Sequence, residues 1–272
     1  MPKMRVNGFE MHYVLDDYTD PWVPHETVFM HHGFARSHRW FYGWVPTLAR
    51  RYKIVRFDAR GQGESQTPPW GFRWSLEGLA DDVLALEDAL GLDKVHYIGE
   101  SLGGLVGATL AAAHPDRLWS LVLCATPPVP QPGLVPGYAS RMAALRALGH
   151  WGTSALPPGD TAADKLRSAW ILTEYQRTPL QLGLAREEMM KLASTDITEL
   201  LPRIKVPTLL MSGGRVSRDR LAAQDMMERR IPNCRRIRFE DAGYYLCLEY
   251  PEQCALAALE LFVEQDRKAS IA

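Results

Sequence analysis

The sequence predicts an α/β protein with a mostly parallel sheet and helices on both faces. Strand and helix patterns alternate at both ends of the chain, and Lys94-Val95-His96-Tyr97-Ile98 leads through a sharp turn into a small-residue helical stretch from Leu102 to Ala113. Such alternation is what joins neighbouring parallel strands.

The elements follow in order. Thr27-Val28-Phe29-Met30-His31 reads as a strand and Trp40 to Arg51 as a helix. Tyr52 to Asp58 is a second strand, ending in the glycine-rich turn Arg60-Gly61-Gln62-Gly63-Glu64-Ser65. Leu79, Val83, Leu86 and Leu90 recur at helical spacing, so that segment should lie on the sheet through one apolar face. Leu118 to Ala125 reads as a buried strand, Pro207 to Ser212 and Arg235 to Phe239 as the last two, and Pro251 to about Asp266 as a final helix.

Between the two halves the rhythm changes. Thr126-Pro127-Pro128-Val129-Pro130-Gln131-Pro132-Gly133 leaves the sheet, since proline cannot donate in a ladder. From about Tyr138 to Leu200 the pattern is helical, which suggests an inserted cap over residues 127–200 and a core of 1–126 with 201–272. Met142, Trp151, Trp170 and Tyr175 in this stretch are expected to pack among themselves and, as a group, to roof an apolar pocket.

Bulk properties narrow the function classes. A chain of 272 residues suits one large α/β domain with an insertion, and 46% hydrophobic content is ample for its core. A formal net charge of −1 offers no electrostatic case for nucleic acid or acidic membranes. No apolar run approaches the roughly 18 residues of a membrane span, and the start lacks a signal peptide's apolar core. Cys124, Cys234, Cys247 and Cys254 have neither metal-site nor disulfide-scaffold spacing and read as reduced thiols. The expectation is a cytoplasmic protein with a small-molecule substrate or ligand, no metal and no cofactor; the sequence leaves its oligomeric state open.

The chemistry is concentrated in Gly99-Glu100-Ser101-Leu102-Gly103, a nucleophile elbow with Ser101 at its tip. Its glycines are physical requirements, because strand and helix approach too closely there for a Cβ. A serine hydroxyl is a poor nucleophile until a base takes its proton, and that base is usually a histidine held by a carboxylate.

Taken together, His32-Gly33, Phe57 to Ser65, Gly99 to Gly104, His114-Pro115-Asp116-Arg117, Pro207 to Gly213 and Gly243 to Pro251 resemble the α/β-hydrolase superfamily, in its cap-bearing branch of esterases, lactonases and carbon–carbon bond hydrolases. The resemblance covers nearly the whole chain except the cap and implies an eight-stranded sheet. It also implies an oxyanion hole from the backbone N–H groups of Phe34 and Leu102. Each such donor contributes about 3 kcal/mol to a transition state that develops negative oxygen, and the N-terminus of the elbow helix adds partial positive charge. His32 then serves the loop structurally or touches the substrate.

The pattern breaks at both partners of the serine. In the family a Gly-His pair precedes a Glu-x-Pro; here Gly243-Tyr244 stands in that frame before Glu249-Tyr250-Pro251, so Tyr244 takes the histidine position. A phenol with pKa near 10 is a weak base at neutral pH and a credible hydrogen-bond donor. The acid position holds Val216, with Asp219 within reach only if the loop shifts. Losing both is coherent, since a buried carboxylate with no imidazole to orient is costly. His38 is a candidate substitute base or gating residue, Glu100 a hydrogen-bonding neighbour of Ser101, and Trp40, Tyr138, Trp170, Tyr175 and Val216 candidate pocket walls. Asp58 and Arg60 read as structural members of the glycine turn.

Three readings follow. The first is an enzyme using Ser101, Tyr244 and the oxyanion hole for non-hydrolytic carbonyl chemistry on an apolar or aromatic compound, of the lyase, decarboxylase, C–C cleavage or cyclisation type. The second is a hydrolase of an activated ester, lactone or β-diketone with a rerouted base. The third is a protein that binds a small molecule without turnover.

Overall fold

The computed structural model describes residues 2–69, 71–128, 161–176, 192 and 195–269, with side chains in the 161–176 segment followed to Glu174. Eight strands form one sheet: β1 (Lys3–Val6), β2 (Phe9–Asp16), β3 (Thr27–His31), β4 (Lys53–Phe57), β5 (Val95–Glu100), β6 (Leu118–Cys124), β7 (Thr208–Gly213) and β8 (Cys234–Phe239). Their spatial order is β1-β2-β4-β3-β5-β6-β7-β8. Pairings are antiparallel at β1·β2 and β2·β4 and parallel from there to β8.

Strand periodicity sorts the core into two layers. Val28 and Met30 of β3, Ile98 of β5 and Val122 of β6 point to one face, where the helices α1 (Val45–Leu48) and α7 (Pro251–Ala269) supply Leu48, Leu261 and Phe262. Phe29, Tyr97 and Leu123 point to the other, against α2 (Leu76–Ala89), α3 (Leu102–Ala113) and Met227 of α5 (Arg218–Arg230). The remaining helices are α4 (Ala162–Gln176) and the single turn α6 (Leu246–Glu249). Coverage on both faces explains why β5 is buried along its whole length.

Two elements differ from the sequence reading. The helix expected over Trp40 to Arg51 is a 3₁₀ turn, His38–Trp44, followed by α1. Pro46 has no N–H to return to Tyr42, so one continuous α-helix cannot form there. Ahead of the first expected strand stands the β1–β2 hairpin, turned by Asn7 (φ 48°) and Gly8 (φ 83°). That Asn-Gly pair is its local signal.

Of the expected cap, α4 is described; Met142, Trp151 and Tyr138, and the side chain of Tyr175, lie outside the described residues. Trp170 of α4 meets Trp40 and Tyr42 at ring-centre distances of 5.9 and 5.6 Å, while Glu174 pairs with Arg39 at 3.3 Å. Among the described residues no helix is long and apolar enough to cross a membrane.

Candidate active site

Ser101 ends β5 and precedes α3 with φ 52° and ψ −113°, a backbone geometry that L-residues rarely adopt. The surroundings enforce it. A Cβ at Gly99 would strike the backbone of Gly103, and one at Gly103 would strike the carbonyl of His31. The Tyr97 hydroxyl donates to Gly103 O at 3.1 Å and accepts from His31 Nδ1 at 2.6 Å, pinning helix to strand. Burial, and to a lesser degree the neighbouring His32, holds His31 well below its usual pKa, so it stays neutral.

Tyr244 Oη lies 2.7 Å from Ser101 Oγ. The loop that carries it is held on both sides by one carboxylate: Glu249 accepts from Gly243 N at 2.7 Å and from Tyr245 N at 3.1 Å. Glu249 stands one turn later on α6, so the frame does not depend on the side chain at position 244.

Two cations flank the phenol. Arg36 is buried, forms an ion pair with Glu100, and places its guanidinium 4.2 Å from the Trp40 ring centre and 5.5 Å from that of Tyr244. Arg220 of α5 sits 4.3 Å from the Tyr244 ring centre. Burial pushes the Tyr244 pKa up. Arg36, Arg220 and the hydrogen bonds to Ser101 and Arg36 outweigh it and bring the phenol below its usual 10. Sequence reasoning passed over both arginines; each lies in a loop or helix whose local pattern says nothing about Tyr244.

The loop carrying Phe34 folds directly over the serine, and a Cβ at Gly33 would touch Ser101 Cβ and the Glu100 carboxylate. Gln62, from the glycine-rich turn, holds this loop by accepting from Ala35 N at 2.5 Å and Arg36 N at 3.3 Å. His32 Nδ1 donates to Gly33 O at 2.7 Å while Nε2 accepts from Ala59 N at 3.0 Å. Burial lowers its pKa to about 4, so it is a neutral brace between two loops.

The other candidates take separate places. His38 turns to Asp58, with Nδ1 3.0 Å from Oδ1, and His12 reaches the other oxygen at 3.0 Å. Asp58 also accepts from the backbone of His38 and Glu64. Burial pushes this carboxyl up, but the two imidazoles overcome that and hold it well below the ordinary range. His12, His38 and Asp58 bring three potential metal-ligand atoms within 4.8 Å of one another from three distant segments, a grouping that linear spacing cannot reveal. Asp219 is exposed in the first turn of α5. Trp40 is 1% exposed, enclosed by Arg36, Trp170 and Tyr245. Val216 lines a pocket with Tyr244 and Arg220.

The family profile described as "alpha/beta hydrolase fold" matches residues 26–157. A pimeloyl-[acyl-carrier protein] methyl ester esterase of Aeromonas hydrophila is 29% identical over 82% of this chain and 89% of its own. A Stutzerimonas stutzeri protein with the provisional name carbamate hydrolase RutD is 30% identical over 74% of this chain and 77% of its own. Among solved structures, the enol-lactonase from Burkholderia xenovorans LB400 superposes with a TM-score of 0.83 at 25% identity, over 96% of this chain and 100% of that one.

Proposed function

Because the chain belongs to the α/β-hydrolase superfamily, we propose that it is a serine hydrolase of a small ester or lactone in which Tyr244, as phenolate, replaces the usual histidine base. The observation that carries this reading is the 2.7 Å contact of Tyr244 Oη with Ser101 Oγ, beside two guanidinium groups that favour the charged phenol. The relatives named as an esterase and an enol-lactonase favour hydrolysis over the non-hydrolytic alternative.

Ser101 Oγ attacks the carbonyl carbon as its proton passes to the Tyr244 phenolate. The carbonyl π pair moves onto oxygen, which the N–H groups of Phe34 and Leu102 receive; each is worth about 3 kcal/mol in such sites. The tetrahedral centre collapses, the bond to the leaving alkoxide breaks, and the Tyr244 phenol returns the proton to it. Water then enters and attacks the acyl-enzyme as it gives a proton to the phenolate. The second tetrahedral centre collapses, the bond to Ser101 Oγ breaks, Tyr244 returns the proton to Oγ and the acid leaves. Val216 in the acid's place fits this scheme, since a phenolate has no ring N–H for a carboxylate to orient.

Treatment with a fluorophosphonate probe and intact-mass measurement tests the reading. One adduct per chain, absent from Ser101→Ala, is expected. An unlabelled wild-type protein that still turns over a carbonyl substrate would replace hydrolysis with the non-hydrolytic reading; an unlabelled, inert protein would leave ligand binding alone.

A further inference from the structure

A pocket opens beside Tyr244 at the C-terminal edge of the parallel strands, where open α/β sheets receive ligands. Its walls come from Ala125 and Pro127 past β6, Ser212 at the end of β7, Val216, Arg220 and Gln224 on and before α5, and Tyr244 itself. The enclosed space is about 20 Å³, and about 320 Å³ only when the open mouth is counted, so its inner end takes one small polar group rather than a ring system.

The polar inventory of this pocket is unbalanced. Ser212 is 3% exposed, and its Oγ has no hydrogen-bond partner among the described residues. A buried hydroxyl left unpaired costs on the order of 1–3 kcal/mol, so such a group marks a place for a ligand or a water. Gln224, also buried, donates Nε2 to Thr126 O at 2.7 Å, which fixes its amide, yet its Oε1 is unpartnered. Arg220 is one helical turn earlier on the same face of α5. Among the described residues no carboxylate lies within ion-pair distance of it; its recorded side-chain contact is the Tyr244 ring. By contrast Arg36, Arg56, Arg60, Arg117 and Arg236 all have carboxylate partners. A half-buried cation and a donor hydroxyl thus face one small cavity with no carboxylate beside them among the described residues.

We propose that this pocket takes a carboxylate carried by the substrate, with Arg220 as its counter-ion and Ser212 Oγ as a hydrogen-bond donor, so that the preferred substrate is a half-ester of a short dicarboxylic acid. The proposal rests on the serine-hydrolase reading, because the pocket is joined to Ser101 through Tyr244. The guanidinium fork suits a carboxylate's two oxygens. Gln224 Oε1, an acceptor, requires that a hydroxyl of the ligand or a water carried with it donate there. Neutral esters of the same length would leave Arg220 without a carboxylate partner and Ser212 unmet, and would bind more weakly for both reasons.

Calorimetry on the Ser101→Ala protein separates binding from turnover. Monomethyl succinate is expected to bind at least tenfold more tightly than its uncharged counterpart, methyl butyrate. Arg220→Met should erase that preference, Arg220→Lys should keep part of it, and Ser212→Ala should reduce monomethyl succinate affinity about threefold, with thermal melts verifying that each variant is folded. Equal affinities, no binding of either ester, or a preference that survives Arg220→Met in a folded protein overturns the proposal. Probe labelling keeps the two readings apart. Discrimination without labelling removes the serine-hydrolase reading and leaves the carboxylate pocket; labelling without discrimination does the reverse.

Discussion

Arg220 holds its guanidinium 4.3 Å from the ring centre of Tyr244, the residue whose hydroxyl touches Ser101. With Arg36 beside the same phenol, the surroundings of Tyr244 favour a negative charge over a positive one. The proposed chemistry and its pH dependence follow from that preference.

The first expected outcome is kinetic. If the phenolate is the base, kcat/KM rises with pH along a limb whose midpoint lies below 10, the direction in which Tyr244 is shifted. Arg220→Met removes a cation that favours the phenolate, so the limb moves to higher pH. A pH–rate profile of both proteins on one ester, read alongside the tyrosinate absorbance, checks the sign.

Tyr244→Phe removes the base while retaining the ring that packs against Tyr245. Fluorophosphonate labelling of Ser101 and ester turnover should both slow by about 10²–10⁴-fold, the usual contribution of general base catalysis. Unchanged labelling kinetics would show that another group activates the serine.

Glu100→Ala leaves the Arg36 guanidinium buried without its ion-pair partner. Breaking one side of a buried pair costs about 3–5 kcal/mol. Denaturant unfolding should report a loss of that size. The pairing is also what holds Arg36 beside Tyr244, so the titration of the phenol should broaden or move upward in the variant.

His32 supplies a stability prediction with a defined sign. Its folded pKa, about 4, lies below the unfolded value of 6.5, so its contribution is complete above 6.5 and is lost as pH falls toward 4. The difference between wild type and His32→Asn, whose amide can still donate to Gly33 O, should therefore shrink by about 3 kcal/mol across that window. Chemical unfolding of both proteins at several pH values measures it.

Restoring the ordinary partners is a stricter test. Tyr244→His alone puts an imidazole beside two arginines that disfavour its protonation. Adding Val216→Asp supplies the missing anion in the same pocket. Esterase activity of the double variant is expected to exceed that of the single one at least tenfold. Equal rates would mean that the pocket no longer accommodates the two residues in register.

The alternation of strands and helices, the apolar runs and the glycines around Ser101 were enough to define an α/β sheet with a serine on a strained turn, because these features follow from local backbone geometry and the two-sided burial of each strand. The Gly243 to Pro251 frame singled out Tyr244, which does meet Ser101, and its loop is shaped locally because Glu249 acts on backbone N–H groups only a few residues away. Who meets Tyr244 was decided by tertiary structure. Arg36, Arg220 and Ser101 come from three separate stretches of the chain, and their effect on the phenol depends on distances that no local pattern encodes. The same holds for His38, whose imidazole is taken by Asp58 twenty residues away, and for Ser212, whose unmet hydroxyl exists only because β7, α5 and the Tyr244 loop enclose it. Local sequence sets backbone shape, but the charge and hydrogen-bond balance of a site is a sum over neighbours that only the fold brings together.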